Sequence, residues 1–469
     1  MKKFEKVFEN HLFLMIVTAL AFVAWISVGK YQWLNQGIIA GFLIAATITM
    51  TLFEDSSKAL PFYLSLLFMV NTKQIGLTDI QGFSFLYVVG LLVALGFALH
   101  LLRFRHKYQF GWLTPGLLLI AISYMLPLIY IDYSTTLLVI SLSGFGYVLL
   151  YLFFRNTSES KTDTILTFLF YISLLLLSQM AYVFIKGFLA YPKETHMVLL
   201  LRDGLKTSWG VSDFGYGNIN DVIIFFTLAS AGQLYMLLKY PKRICLWVFP
   251  ILSVAAVLFS GSRGGYLAWT VLIILYYLIM MVKGTKAQLI TMHAIALVGT
   301  LVVVFTPYFL SSVYLVFKQG GINNFDTFTS WRISLYKQAW QIFRKFKWFG
   351  AGWTYMLDVG NSNRIQVYHS TFFHTIAISG AFGLLSVAVF MFSQLLTAVK
   401  KFNLNVAIVG AAWLVTALHG ILDNTVHMII YTILTLVIFS AIERDESIEE
   451  KGYEEELENQ PFPFLVSDE

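Results

Sequence analysis

The sequence predicts an all-α integral membrane protein of about 14 transmembrane helices, with a long extracytoplasmic loop that contains an amphipathic helix. Three observations predict it. Hydrophobic residues make up 58% of the 469-residue chain and charged residues only 12%, about half the charge fraction of an ordinary soluble domain. Apolar stretches of roughly 20 residues recur, each long enough to cross about 30 Å of hydrocarbon as a helix. Basic residues sit in short clusters between alternate stretches, where topology signals sit.

The stretches are continuous rather than alternating, so they read as helices and not as barrel strands. Length alone would suggest two or three soluble domains, and the hydropathy overrules that. The spans fall near 11–29, 37–53, 58–71, 83–102, 111–131, 134–154, 164–186, 219–239, 243–260, 264–282, 287–309, 370–398, 404–421 and 425–442. The third is short enough to be re-entrant.

With the N-terminus (Lys2, Lys3, Lys6) in the cytoplasm, every second loop should also lie inside. Those loops carry Lys58; Arg103, Arg105 and Lys107; Arg155 and Lys161; Lys239, Lys242 and Arg243; Lys283 and Lys286; and Lys400 and Lys401. The intervening loops at 30–36, 72–82, 132–133 and 422–424 are nearly free of such clusters. The register holds along the chain, so the span count is even and both termini are cytoplasmic. The first span follows Met1-Lys2-Lys3 without a small-residue cleavage site and reads as retained.

The chain therefore divides into N-terminal transmembrane helices (1–186), an outer loop (187–218), central transmembrane helices (219–309), a long outer loop (310–369), C-terminal transmembrane helices (370–442) and an acidic cytoplasmic tail (443–469) that reads as disordered. The formal net charge of +6 belongs to topology and does not point to nucleic acid. A single cysteine, Cys245, excludes an internal disulfide framework and reads as inert packing. The sequence holds no phosphate-cradling Gly-Lys-Ser/Thr loop and no His/Cys cluster at metal-ligand spacing.

The long outer loop defies the positive-inside pattern. From Ser330-Trp331-Arg332 to Phe349, apolar residues recur at helical spacing while Arg332, Lys337, Arg344, Lys345 and Lys347 fill the other face. Gly350-Ala351-Gly352 stops the run. This reads as an amphipathic helix on or near the outer membrane surface, its basic face suited to anionic headgroups. A phosphate-bearing substrate is another reason for such charges.

The candidate chemistry sits at the outer ends of the spans. Arg263, in Ser260-Gly261-Ser262-Arg263-Gly264-Gly265-Tyr266-Leu267, is costly at that depth unless it is paired or faces a wet cavity. It reads evenly as a pyrophosphate clamp or as an arginine snorkelling to headgroups. Arg332 is a second phosphate contact or one more solvated charge, the latter favoured when it is taken alone. His369 and His374 lie where the loop re-enters the membrane. An imidazole there can take a proton from a sugar hydroxyl or be a hydrogen-bonded interfacial histidine, and His374 favours the second. His419, Asp423 and His427 form another polar patch, read as a structural cluster rather than a metal site. Asp203, Asp213, Asn218, Asn220 and Asp221 fall in or beside the first long loop. Asn220 either contacts sugar hydroxyls or caps a helix.

Several of these elements resemble the O-antigen ligase and polymerase superfamily. Arg263-Gly264-Gly265-Tyr266-Leu267 matches that family's Arg-x-x-x-Leu element. His369-Ser370, then nine residues, then Gly380-Ala381-Phe382-Gly383 matches its His-(Asn/Ser/Gln)-x9-Gly-x-x-(Gly/Thr/Tyr) element. Arg332 before Gly350-Ala351-Gly352 is similar to its loop arginine, and Asn220 to its asparagine at the start of a span. The resemblance covers roughly 205–400 and implies a GT-C-like, lipid-carrier-dependent glycosyltransferase of the bacterial cytoplasmic membrane. Its active site would be extracytoplasmic. The implied partners are an undecaprenyl-pyrophosphate-linked oligosaccharide donor, a glycan acceptor, membrane lipids and polysaccharide-assembly proteins. No cofactor, metal or nucleotide sugar is implied.

In that reading Arg263 and Arg332 hold the pyrophosphate, and His369 acts as base on, or orients, the acceptor hydroxyl. Asn220, Ser262, Tyr266, Ser370 and Trp331 line the substrate. The transfer inverts the anomeric carbon. The polymerase form, serving capsule or exopolysaccharide, comes first; a ligase acting on a lipid, protein or wall acceptor is the alternative. The competitor from another class is a polysaccharide or lipid transporter. That predicts ionisable residues in mid-membrane, whereas the span centres are nearly charge-free and no inverted repeat is visible. The count of about 14 spans exceeds the dozen or so of typical ligases, leaving the N-terminal helices without assigned roles.

Overall fold

A computed structural model describes residues 5–28, 30–70, 85–132, 134–190, 214–305, 314, 332–361 and 365–445. Among these, each of the 14 apolar stretches is helical. They are α1 (His11–Ile26), α2 (Gln32–Leu52), α3 (Leu60–Met69), α4 (Phe85–Arg103), α5 (Thr114–Met125), α6 (Thr135–Thr157) and α7 (Thr162–Ala190). Then come the consecutive pair α8 (Ile219–Ala229) and α9 (Ala231–Lys239), followed by α10 (Val248–Phe259), α11 (Arg263–Lys283) and α12 (Lys286–Phe305). Last are α13 (Arg332–Lys345), α14 (Thr371–Lys400), α15 (Leu404–His419) and α16 (Ile429–Arg444). A small hairpin pairs β1 (Tyr355–Met356) with β2 (Gly360–Asn361) antiparallel.

Six of these helical segments are individually long and apolar enough to cross a membrane: Gln32–Leu52, Thr135–Thr157, Thr162–Gly187, Ile219–Lys239, Arg263–Lys283 and Thr371–Lys400. The other apolar helices are shorter, and the third predicted span is among the shortest. Its helix α3 has 10 residues and rises about 15 Å, half the hydrocarbon thickness. Large apolar side chains such as Leu102, Phe392 and Leu267 stand 83%, 63% and 59% exposed, a surface suited to lipid rather than to water. The interior is a large apolar core that draws on nearly all of the long helices, with a smaller second cluster beneath α13. Backbones approach closely where glycine permits it. A Cβ on Gly116 of α5 would lie 2.5 Å from the Phe390 Cα of α14, so these two helices pack face to face.

The loops expected on one side do meet. Ser56 accepts the Thr157 hydroxyl (2.7 Å), and the Glu159 N–H donates to Asp55 (2.7 Å). Glu443 accepts from Arg155 Nε (2.8 Å) and from the Trp112 N–H (3.0 Å), and Lys401 donates to the Asp445 carbonyl (2.7 Å). The basic clusters thus share one end of the bundle, and the candidate chemistry gathers at the other.

Two expectations change. Cys245 is exposed, in a 3-10 turn ahead of α10, so it does not pack a core. The amphipathic helix forms as α13, but Ala339 and Ile342 are buried in a cluster with Tyr368 and Ala377, with Leu335, Phe346 and Phe373 packed on it. Its apolar face is spent on protein, because the start of α14 lies against it. The acidic tail from 446 onward, most of the first long loop and residues 306–313 and 315–331 lie outside the described residues.

Candidate active site

The end of the bundle opposite the basic clusters is organised around Asp423, in the turn between α15 and α16. Its side chain is 2% exposed and accepts three hydrogen bonds. They come from Arg332 Nη2 at 2.9 Å, His369 Nδ1 at 3.1 Å and the Asn424 N–H at 2.9 Å. Burial works against the charge of Asp423, and the His369 bond and the Arg332 charge outweigh it, so the carboxyl stays below its usual range. A buried carboxylate held this way is a fixed anchor for two cations.

His369 is positioned from several sides. Its φ of 44° is left-handed, which costs a non-glycine residue of order 1 kcal/mol or more and marks an over-determined site. The Tyr336 hydroxyl of α13 donates to its carbonyl at 2.9 Å, and the Tyr336 ring stacks on Phe373 at 4.2 Å. Asp423 accepts only, so Nδ1 carries the proton and Nε2 presents its lone pair. The bond from Asp423 raises the pKa of His369, against the opposing pull of burial and Arg332.

Arg332 begins α13 and also donates to the Leu422 carbonyl. Of its five N–H donors, others remain for an anion. At the head of α8, Asn218 and not Asn220 is the cap. Asn218 accepts from the Asn220 and Asp221 N–H groups at 2.8 and 3.3 Å, and Asp221 accepts from the Asn218 N–H at 2.8 Å, a reciprocal capping box. The freed Asn220 side chain accepts the Ser262 hydroxyl at 2.8 Å, while Ser262 caps α11 by accepting from the Gly265 N–H at 3.1 Å. Arg263 is therefore the first residue of α11, half-buried. The adjoining Gly264 lies so close to His419 that a Cβ would sit 2.6 Å from its Nε2. The His419 backbone carbonyl in turn accepts the Leu422 and Asp423 N–H groups, each at 2.9 Å. Asp221 interacts electrostatically with Asp423, His369 and Arg332.

The N-termini of α8, α11, α13 and α14 are thus linked, through these contacts, around one turn. Helix N-termini carry partial positive charge and favour anions.

A second device fixes α13 against α14. Gly380 breaks α14 with φ 64° and ψ −155°, leaving backbone groups without helical partners. The turn after α13 fills them. Ala351 and Gly352 N–H groups donate to the Ala377 and Ile378 carbonyls at 2.8 and 2.9 Å. Ala381 and Phe382 N–H groups donate to the Lys347 and Trp348 carbonyls at 2.9 and 3.0 Å. The Tyr130 hydroxyl closes the outside by donating to the Gly350 carbonyl. The helix beyond the break, residues 381–400, has the length that crosses hydrocarbon.

Of the residues named from sequence, His369 and Arg332 meet on Asp423, while Arg263, Ser262 and Asn220 form the neighbouring wall. Ser370 is buried as the N-cap of α14, and its carbonyl accepts the His374 N–H at 2.8 Å. The Tyr266 hydroxyl donates to the Leu258 carbonyl at 2.6 Å, bracing α10 against α11. Trp331 lies outside the described residues. The patch of His419, Asp423 and His427 divides: His427 turns to Tyr124 and Thr375 (2.7 Å each), and only Asp423 holds the catalytic candidates. Asp423 was named in the sequence but not given that role. An acid in a charge-free outer turn just after an apolar span was the available signal.

A polytopic helical membrane protein with a histidine–carboxylate pair, arginines and several helix N-termini at one end has the makings of a membrane enzyme for anionic substrates. Residues 248–388 match the family model described as O-antigen ligase, so this segment of the chain is similar to the O-antigen ligase and polymerase superfamily, a glycosyltransferase-like family. The matched segment carries Arg263, Arg332, His369 and the Gly380 break; Asn220 and Asp423 lie outside it. No curated protein matches the chain.

Asp423→Asn is expected to move the acid limb of the pH–rate profile down. A base works when neutral, so the rate rises as pH passes through the folded pKa of His369. Asp423 raises that value, and the amide removes the charge that raises it. The plateau should also fall by about 10²-fold or more, since the tautomer is no longer fixed. An acid limb that stays in place would show that His369 is not the titrating base.

Proposed function

We propose that the protein transfers a glycan from an undecaprenyl-pyrophosphate carrier to an acceptor hydroxyl, at the extracytoplasmic face of the bacterial cytoplasmic membrane. His369 Nε2 takes the proton of the acceptor hydroxyl. The hydroxyl oxygen bonds to the anomeric carbon from the side opposite the phosphate, so the configuration inverts. The carbon–oxygen bond to the phosphate breaks, and the carrier pyrophosphate leaves with the electron pair. Arg332 and Arg263, with the gathered helix N-termini, offset the charge that develops on it. Asp423 holds His369 in its basic tautomer and stabilises the imidazolium that forms. The proton then passes from His369 to water.

The observation that carries the reading is the pairing of His369 and Arg332 on one buried carboxylate, a base and an anion contact fixed in a single geometry. The reading takes the polymerase form, in which the acceptor is another carrier-linked unit. Donor and acceptor are then alike, which asks for no second, unlike recognition surface. The test is analysis of carrier-linked intermediates in a strain lacking the protein. Accumulated single-repeat units support the polymerase. Long carrier-linked chains that fail to reach their acceptor make it a ligase. Unchanged intermediates remove the transferase reading and bring transport forward.

A further inference from the structure

Beneath His369 runs a second polar chain, buried and unused by the transfer itself. The Tyr124 hydroxyl of α5 lies 2.7 Å from His427 Nδ1, and His427 Nε2 lies 2.7 Å from the Thr375 hydroxyl of α14. That hydroxyl is 2.5 Å from the Thr371 carbonyl. A carbonyl only accepts, so Thr375 donates to it and receives the Nε2–H of His427. A buried imidazole with no acid beside it stays neutral and has one N–H, so Nδ1 accepts from Tyr124. The direction of every hydrogen bond is therefore fixed, from α5 to the first turn of α14.

The chain ends two residues from the strained His369. Thr371 is gripped on its other atoms as well. Its N–H donates to the Gly420 and Asp423 carbonyls at 2.8 and 3.1 Å, and its hydroxyl oxygen accepts the Thr425 N–H at 3.1 Å. The 420–428 turn thus holds the first turn of α14 at several points: Asp423 grips the histidine ring, Gly420, Asp423 and Thr425 meet Thr371, and His427 fixes the Thr375 hydroxyl that donates to the Thr371 carbonyl. A left-handed non-glycine residue persists only where its surroundings over-determine it. Asp423 fixes the ring, Tyr336 holds the His369 carbonyl and the turn holds the Thr371 N–H; the Thr375 hydroxyl adds the hold on the Thr371 carbonyl.

We infer that Tyr124, His427 and Thr375 are positioning residues that hold the backbone at Thr371, and so keep His369 Nε2 aimed at the acceptor hydroxyl. The inference rests on the proposed role of His369. It adds that the aim is set from α5, an N-terminal helix outside the family-matched segment, which gives that part of the chain a function in the site.

The test uses the full-length protein in proteoliposomes, with carrier-linked glycan isolated from the strain lacking it. Thr375→Val keeps shape and removes the hydroxyl. It is expected to lower kcat roughly 10- to 100-fold, the scale of a misplaced reacting group, with KM unchanged. Thr375→Ser, which restores the hydroxyl, should return kcat to within about 2-fold of wild type, well inside that range. Tyr124→Phe, which loses only the first donor of the chain, should show the same kcat-selective loss and covers the case in which Thr375→Val fails to accumulate. His369→Gln is measured in parallel. If it stays active, the proposed function falls. If it is inactive while Thr375→Val and Tyr124→Phe match wild type, only the positioning role falls. A loss that serine does not rescue, with KM and thermal stability falling together, reduces the chain to packing and overturns the inference as well.

Discussion

Replacing His369 with glutamine is expected to abolish glycan transfer, with kcat falling by about 10²–10⁴-fold, the span covered by a positioned general base. Glutamine can still donate a hydrogen bond to Asp423 from its amide nitrogen, so the buried carboxylate keeps a partner and the turn at 420–428 is expected to hold. It has no basic nitrogen in the physiological range, so the proton of the acceptor hydroxyl has nowhere to go. The check is single-turnover transfer in membranes, alongside the amount of protein that reaches them. The variant should accumulate as wild type does and bind donor with little change, because the pyrophosphate is assigned to Arg332 and Arg263. Near-normal turnover by His369→Gln would remove the histidine as the base and with it the proposed transfer mechanism.

Gly380→Ala is expected to be as damaging by a different route. Its φ of 64° and ψ of −155° lie in a region essentially confined to glycine, at a cost of about 1–3 kcal/mol for alanine. The added Cβ would also lie 2.6 Å from the Gly350 and Phe349 nitrogens and from the Trp348 carbonyl carbon. All three are backbone atoms and cannot swing aside. Relief requires parting the turn after α13 from the break in α14, which leaves the Ala377, Ile378, Ala381 and Phe382 backbone groups without partners. Each such buried group costs about 1–3 kcal/mol. Arg332 rides on α13 and His369 on α14, so their meeting on Asp423 should be lost. The measurement is transfer activity together with protease cleavage within 346–352. Loss of activity with faster cleavage there is the expected pair. An active, protease-resistant Gly380→Ala would show that the interlock does not position the site.

Much of this was legible in the sequence because it rests on local composition. Each apolar run is helical because a chain in hydrocarbon satisfies its backbone internally. The alternation of basic loops correctly grouped Lys58, Arg155 and Lys401 at one end, since that pattern follows from chain connectivity alone. His369 and Arg332 were legible as chemical residues in unusual places. The lengths of individual helices were less so: the span expected at 58–71 holds a helix of only 10 residues, Leu60–Met69, after a 3-10 turn over Ser56–Ala59.

Other features depended on which surfaces touch. The amphipathic period of α13 was visible, but periodicity does not say whether lipid or protein covers the apolar face, and here α14 covers it. Asn220 and Asn218 are both able to cap α8. The choice went to Asn218 because Ser262, 42 positions away in sequence, engages Asn220. Gly350 reads as a helix stop and Gly380 as a motif glycine inside a span, and nothing in their spacing says that the two fit into one another.

By itself the sequence determined a polytopic helical membrane protein, the end of the bundle where its candidate chemistry gathers, and a histidine and arginines as the residues to watch. Those follow from hydropathy, charge order and side-chain type, which are properties of short segments. The tertiary structure alone decided that Asp423 joins His369 to Arg332, that the broken α14 receives the turn after α13, and that Tyr124 reaches Thr371 through His427. Each is a contact between segments remote in sequence, fixed by the packing of whole helices, and no local pattern encodes which helix lies beside which.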